Sequence, residues 1–487
     1  MSAAGFTVVK ESSKSFARHG VYSFGSGSKA KSIETPSFIM PTSRGVIPHM
    51  TPDHIENKTD LSGITVGAED WLEKLPEEPP LLKYTDGPCR DLMNMPTDLP
   101  VFVSVRRSVP VQLVKSNGDK YVGIMTSEGA RELKLQDYFR FVSKFEPDAV
   151  ISVADLPSFS QQNHGECGNG EDIARGLIPR PGGNRVKKMV FRTERWMENL
   201  QEYLTQHSYK PAVFAPVLPY VDLRTQGAYI DYVQSLNESG KISGLTLWSY
   251  FGNSKDREPS NGEGASEEKQ NTLWSNVVDA LKERGLDKLV RYNNAVLETP
   301  HDLLDQVMRN GSDLFNGDLV TQYTNAGVVL DFVFPAKPED IANGTIKEIG
   351  LNMWDAKYTT DMSFLGEDTP NVTGTHNRAY LHHLLDAHEM TAWVLLQIHN
   401  LHVLRIFFNG IRASLAAGTL ESDVAAFLQV YGDRVSALQV KQSIHGEEKS
   451  RMPKARAYNI GREELIERTR GSSEGQKLNS TRWSKEM

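Results

Sequence analysis

The sequence predicts an α/β protein, a (β/α)8 TIM barrel followed by a C-terminal helical subdomain. Two observations predict it. Between Ser37 and Phe315, eight short apolar runs alternate with stretches of helical periodicity, the rhythm of a parallel barrel. From Arg378 to Ala417 the chain carries two apolar stripes at three- and four-residue spacing, which is the signature of packed helices.

Residues 1–32 are rich in Ser, Gly and Lys and read as a flexible lead-in. The barrel is expected over 33–348, with strands at 37–40, 64–67, 101–105, 149–153, 212–217, 245–248, 289–292 and 313–315. Helices are expected at 136–145, 194–206, 223–236, 272–284 and 300–308. Pro300 after Thr299, with Asp302 in the first turn, is a good helix start. Two polar insertions interrupt this rhythm. Residues 160–184 are Gly-, Pro- and Asn-rich, and 253–270 lack periodicity. Residues 349–440 form the helical subdomain, with helices at 378–397 and 400–417 and Gly418 where a C-cap belongs. The segment 441–487 has 11 Lys/Arg against 7 acids and few apolar residues, so it reads as a disordered, mildly basic tail.

Composition bounds the function. A hydrophobic content of 39% with 24% charged residues is that of a soluble globular chain. No apolar run approaches the roughly 18 residues needed to cross a bilayer. Two cysteines, Cys89 and Cys167, argue for a reducing compartment without a disulfide framework. Lys10, Lys14 and Arg18 among serines have a weak transit-peptide character, so a cytoplasmic location is expected and a mitochondrial association left open. The net charge of −8 speaks mildly against unaided RNA binding, which usually shows a basic face.

The segment Asn377-Arg378-Ala379-Tyr380-Leu381-His382-His383-Leu384, followed by Ile398-His399-Asn400-Leu401-His402, is more specific than helix periodicity requires. It resembles the C-terminal region of the tRNA-guanine transglycosylase family, which exchanges a guanine in tRNA for a queuosine-type base. The fold this implies is the same barrel. In that family a Cys-x-Cys-x-x-Cys run before the Arg-Ala-Tyr segment binds zinc together with the first His of the His-Asn pair. Counting back from Arg378, the three cysteine positions fall on Asp368, Pro370 and Thr373, and only His399 is retained. A structural zinc takes about four ligands, preferably thiolates, and proline offers none. No metal and no other cofactor is expected. His399 and His402 share a helix face that Asp386 or Glu389 could approach, but packed or hydrogen-bonded histidines are the default.

The resemblance also marks the catalytic positions. After strand eight the family has a nucleophilic Asp, and Asn316 stands there; an amide cannot supply the anionic oxygen. Asp318 is a weak substitute, because two residues along a strand end shift a side chain by about 6–7 Å. After strand three, where the family keeps its general base, the chain reads Ser104-Val105-Arg106-Arg107. Asp155 matches a purine-contacting Asp after strand four. Leu218-Pro219-Tyr220 stands where the family has Gln-Gly after strand five, and Trp248-Ser249 where it has Gly-Gly after strand six, and the bulky Trp248 and Tyr250 would fill a flat purine slot. The pocket candidates are therefore Asp155, Arg106, Arg107, Trp248 and Tyr250.

The opening segment Glu34–Thr51, with Arg44-Gly45 and Pro48-His49-Met50-Thr51, resembles the family's accessory-subunit class. That class lacks the nucleophile but generally keeps its zinc cysteines, so this chain departs from it there. The resemblance spans roughly 33–420. It implies a non-catalytic subunit that forms a heterodimer with a catalytic queuine tRNA-ribosyltransferase through the 377–411 region and meets tRNA through that complex. A barrel enzyme repurposed for another reaction, with Asp155, Asp318, Arg106 and Arg107 as its polar groups, is the alternative. A scaffold that has lost tRNA modification is a third.

Overall fold

In the computed structural model of the protein the described residues are 4–25, 30–72, 79–107, 117–126, 129–156, 183–207, 209–218, 223–247, 277–295, 297–366 and 376–432. Three strands open the chain, β1 (Gly5–Glu11), β2 (Arg18–Phe24) and β3 (Lys31–Thr35), in an antiparallel sheet ordered β1-β2-β3. Eight parallel strands then close a barrel. They are β4 (Ser37–Pro41), β5 (Ile64–Gly67), β6 (Val101–Ser104), β9 (Ala149–Ile151), β10 (Ala212–Val217), β11 (Gly244–Leu247), β12 (Val290–Asn293) and β13 (Leu314–Asn316). All eight expected strands are present, each within two residues of the sequence reading. Between β6 and β9 lies an antiparallel hairpin that the sequence reading missed, β7 (Tyr121–Thr126) with β8 (Gly129–Lys134).

The helices are α1 (Pro52–Lys58), α2 (Ala68–Trp71), α3 (Leu135–Phe145), α4 (Gly183–Gln206), α5 (Leu223–Glu238), α6 (described over 277–283), α7 (Pro300–Asn310), α8 (Asp318–Asn325), α9 (Pro338–Ala342), α10 (Arg378–Asp386), α11 (Met390–Ala417) and α12 (Leu420–Tyr431). Thr299 and Asp302 form the expected capping box of α7, and Gly418 adopts the left-handed cap of α11 at φ 75°.

Two expectations are corrected. First, within the expected flexible lead-in 1–32 the described residues, 4–25 and 30–32, form an ordered sheet with 33–35. This sheet closes the amino-terminal end of the barrel, where Tyr22 and Phe24 lie edge-on to Phe214 and Phe102, both with ring centroids 5.7 Å apart. Arg18 reaches Asp313, just before β13, with Nε donating to Oδ1 at 2.9 Å and Nη2 to Oδ2 at 2.5 Å. Second, the helix break falls at 387–389, where His388 sits at φ 56°, and 390–417 is one unbroken helix. Burial explains this, because α11 is packed around most of its circumference along its middle. Its Phe408 lies against Phe38 and Phe315 of the barrel at 5.8 and 5.5 Å. The expected helical subdomain is present, and it carries a small sheet besides its helices. The antiparallel pair β14 (Val328–Leu330) and β15 (Gly350–Asn352) straddles its expected start.

Of the two insertions, residues 183 and 184 belong to α4 and the remainder lies outside the described residues, as do 433–440 of the subdomain and the tail 441–487. Among the described residues no helix is long and apolar enough to cross a membrane.

Candidate functional site at the barrel mouth

A barrel of this kind carries its chemistry at the carboxyl ends of its strands. Asn316 ends β13 and is 2% exposed. Its Oδ1 accepts the Asp318 N–H at 2.9 Å, and its Nδ2 donates to Asn294 Oδ1 at 3.2 Å. The first bond is an Asx turn, and it satisfies an N–H that the start of α8 leaves free. Asn294 also accepts from the Tyr292 hydroxyl at 3.0 Å. Three neutral polar groups therefore join where the resemblance places an attacking carboxylate. Asp318 begins α8 and accepts from Gln322 Nε2 one turn on at 3.0 Å.

Asp155 is fully buried and held by cations. Its carboxylate takes a two-pronged contact from Arg185, Nη2 at 2.7 Å and Nη1 at 2.8 Å. Arg192 Nη1 adds a third at 3.2 Å and Asn117 Nδ2 a fourth at 2.7 Å. The two-pronged geometry is the strong form of a guanidinium–carboxylate contact. Asp155 thus anchors α4 to the end of β9. Arg106 is 6% exposed, and its guanidinium donates to the Gly123 carbonyl from Nε at 3.3 Å and from Nη2 at 3.0 Å. Nη2 also donates to Asn117 Oδ1 at 3.3 Å. Asn117 therefore joins Asp155 to Arg106, in a network that holds the β7–β8 hairpin.

Arg107 belongs to a different cluster. Its N–H donates to Glu69 Oε1 at 2.7 Å, and its Nε lies 3.0 Å from Asp70 Oδ1. Asp70 Oδ2 accepts the Arg44 N–H at 3.1 Å. Burial pushes the Glu69 carboxyl up to about 7, against the pull of Arg107. Its Oε2 is buried without a hydrogen-bond partner. Sequence reasoning missed Glu69 and Asp70, although two consecutive acids just past a barrel strand that ends at Gly67 are a readable signal. Trp248 and Tyr250 lie outside the described residues, as do Pro219 and Tyr220.

In the subdomain, His399 is 1% exposed and its Nε2 donates to the Leu330 carbonyl at 3.0 Å. Burial brings its pKa down to about 4, against the pull of that bond. Asn400 beside it accepts the Leu330 N–H at 2.8 Å and donates to the Val328 carbonyl at 3.0 Å. The His-Asn pair so clamps β14. His402 Nδ1 lies 3.3 Å from Arg405 Nη2. Arg378 gathers the segment ahead of α10. Its Nε donates to the Leu365 carbonyl at 3.2 Å, Nη1 to Asp361 Oδ2 at 3.4 Å, and Nη2 lies 3.9 Å from Asp331 Oδ2. Asp368, Pro370 and Thr373 lie outside the described residues. Among the described residues no three His, Cys, Asp or Glu side chains are grouped to hold a metal.

A closed (β/α)8 barrel with a helical subdomain packed on its first and last strands defines the class, a transglycosylase-type barrel, and Asn316 stands at the end of its strand eight. Residues 171–433 match the family model described as queuine tRNA-ribosyltransferase. A relative from Schizosaccharomyces pombe, named queuine tRNA-ribosyltransferase accessory subunit 2, is 32% identical over 406 residues, covering 83% of this chain and 80% of the relative. Relatives of the same name from Xenopus tropicalis and Drosophila grimshawi are 27% and 25% identical, covering 83% and 85% of this chain and 95% and 90% of their own. The chain belongs to the queuine tRNA-ribosyltransferase family.

Proposed function

We infer that the protein is a non-catalytic accessory subunit of a tRNA-guanine (queuine) transglycosylase, which pairs with a catalytic subunit and supports base exchange in tRNA. The observation that carries this is Asn316: an amide at the family's nucleophile position, tied into the Asx turn that leads into α8. The relatives' names agree with it. Asp318 does not take over, since its carboxylate serves Gln322 along its own helix. The heterodimer forms through the subdomain. Met362 is 73%, Phe364 59% and Tyr380 40% exposed around the start of α10, and the Asn377 amide touches Met362 sulfur at 3.6 Å. This apolar surface continues the face that the resemblance assigns to the partner. The setting is cytoplasmic, with a mitochondrial association open.

Base exchange measured with labelled guanine tests this reading. The chain alone, and Asn316→Asp alone, are expected to be inactive, because the aspartate would still accept the Asp318 N–H and the other family positions stay altered. Stable co-elution with, and stimulation of, a catalytic subunit are expected. Exchange by the chain alone would overturn the reading.

The subdomain works without zinc. Asp368, Pro370, Thr373 and His399 offer one carboxylate, one hydroxyl and one imidazole already bonded to a carbonyl, with no thiolate. Arg378 ties down residues 361–365, next to the segment where the family places its metal. Treatment with a strong chelator is expected to leave the unfolding midpoint unchanged and to release less than stoichiometric metal. About one zinc per chain by elemental analysis would refute this.

A further inference from the structure

We propose that the exposed face of α4 beside the barrel mouth, formed by Lys187, Lys188, Phe191 and Arg195, is a contact surface for the phosphate backbone of RNA. The proposal rests on the reading above for the identity of that RNA, a tRNA presented to the mouth.

The order of charge along α4 carries the inference. Its first half, 183–195, holds Arg185, Lys187, Lys188, Arg192 and Arg195 against the single acid Glu194. Its second half, 196–206, holds Glu198 and Glu202 and no Lys or Arg. The first turn has no acid and the last turn no base. This is the reverse of what a helix prefers, because the positive end of its dipole lies at the amino terminus and favours anions there. Helix stability therefore does not account for the arrangement.

Two of the five cations do have structural work. Arg185 and Arg192 both bind Asp155. The other three do not. Lys187, Lys188 and Arg195 are exposed and make no ion pair with any described residue. Spacing places them on one face, since 188 and 195 are seven apart and 187, 191 and 195 four apart. The stripe runs on the order of 12 Å, long enough to follow a stretch of backbone. Phe191, 58% exposed in its middle, offers a face on which an unpaired base can stack.

Orientation puts the stripe where an RNA docked at the mouth would pass. The Asp155 contacts hold the start of α4 at the carboxyl end of β9. At its other end Gln201 Nε2 donates to the Lys241 carbonyl, ahead of β11, on the far side of the barrel. The cationic half is thus the mouth half. In a chain of net charge −8, a free cationic stripe at this place complements a polyanion and little else on the molecule.

The test is tRNA binding by the full chain and by its complex with a catalytic transglycosylase subunit, titrated at several salt concentrations. The triple variant Lys187→Glu, Lys188→Glu, Arg195→Glu is expected to bind tRNA at least about tenfold more weakly near 0.1 M salt. The slope of log affinity against log salt is expected to fall by about 2 to 3. Phe191→Ala should weaken binding severalfold with the slope unchanged, and Lys282→Glu on α6 should change neither. Unchanged affinity and slope in the triple variant would overturn the proposal. So would loss of subunit pairing with tRNA binding intact, or the absence of tRNA binding by the wild-type chain in both forms. Base exchange separates the two inferences. A chain that binds tRNA through the stripe but neither pairs with nor stimulates a catalytic subunit sinks the accessory reading and leaves this one standing.

Discussion

Replacing Arg18 by alanine is expected to destabilise the fold by about 3–5 kcal/mol, the cost of leaving one member of a buried ion pair alone. Arg18 is 4% exposed and Asp313 not at all. The guanidinium also donates to the carbonyls of Asp287 and, at 2.6 Å, of Leu289. One side chain therefore ties the amino-terminal sheet to the loops that lead into β12 and β13. Its removal strands a carboxylate whose remaining bonds include the Arg291 N–H at 2.7 Å and which has no water to turn to. Urea denaturation measures the effect. Arg405→Ala is the control, because its partner Asp60 is 82% exposed and such pairs contribute about 0–1 kcal/mol. A loss for Arg18→Ala no larger than the control's would show that the sheet is not a structural part of the barrel.

Gly410→Ala is expected to cost about 3 kcal/mol, although alanine is the better helix former. Gly410 lies inside α11, where helix propensity favours alanine by roughly 0.5–1 kcal/mol. A methyl group there would run into the Phe334 carbonyl, with the carbonyl carbon 2.7 Å away and a ring carbon at 3.3 Å. Backbone on one side and helix on the other leave no flexible atom to yield. Phe334 is itself packed on Phe407 and Phe427 at 5.6 and 5.8 Å, so displacement would spread through that cluster. Gly227→Ala in α5 is the contrast. No atom lies within 4 Å of its added carbon, and the change should stabilise by roughly 0.5–1 kcal/mol. Equal effects at the two positions would show that α11 stands farther from residues 332–335 than described.

The barrel was legible because its strands are short apolar runs bounded by polar turns. Residues 64–67 and 212–217 were read with the bounds they have in the structure. The amino-terminal sheet was not. Its serines, glycines and lysines hide an alternation that β2 displays plainly, with Arg18, Gly20, Tyr22 and Phe24 buried and the residues between them partly exposed. The β7–β8 hairpin escaped for a similar reason, since Gly129–Lys134 is charged at half its positions and buries only Leu133. The helix joint was misplaced because α11 is apolar on nearly every side, and periodicity cannot mark a break where burial is all-round.

The site divides along the same line. Residue identity determined that Asn316 is an amide and that the subdomain lacks its thiolates. These are chemical facts about single side chains, independent of their surroundings. The roles of Asp155, Arg106 and Arg107 were decided only by tertiary structure. Whether a strand-end charge faces a ligand or a neighbour depends on which distant groups come within hydrogen-bonding reach. For Asp155 those groups are Arg185 and Arg192, on a helix some thirty residues further along the chain. A buried carboxylate must be paired, and no local pattern in the sequence names its partner.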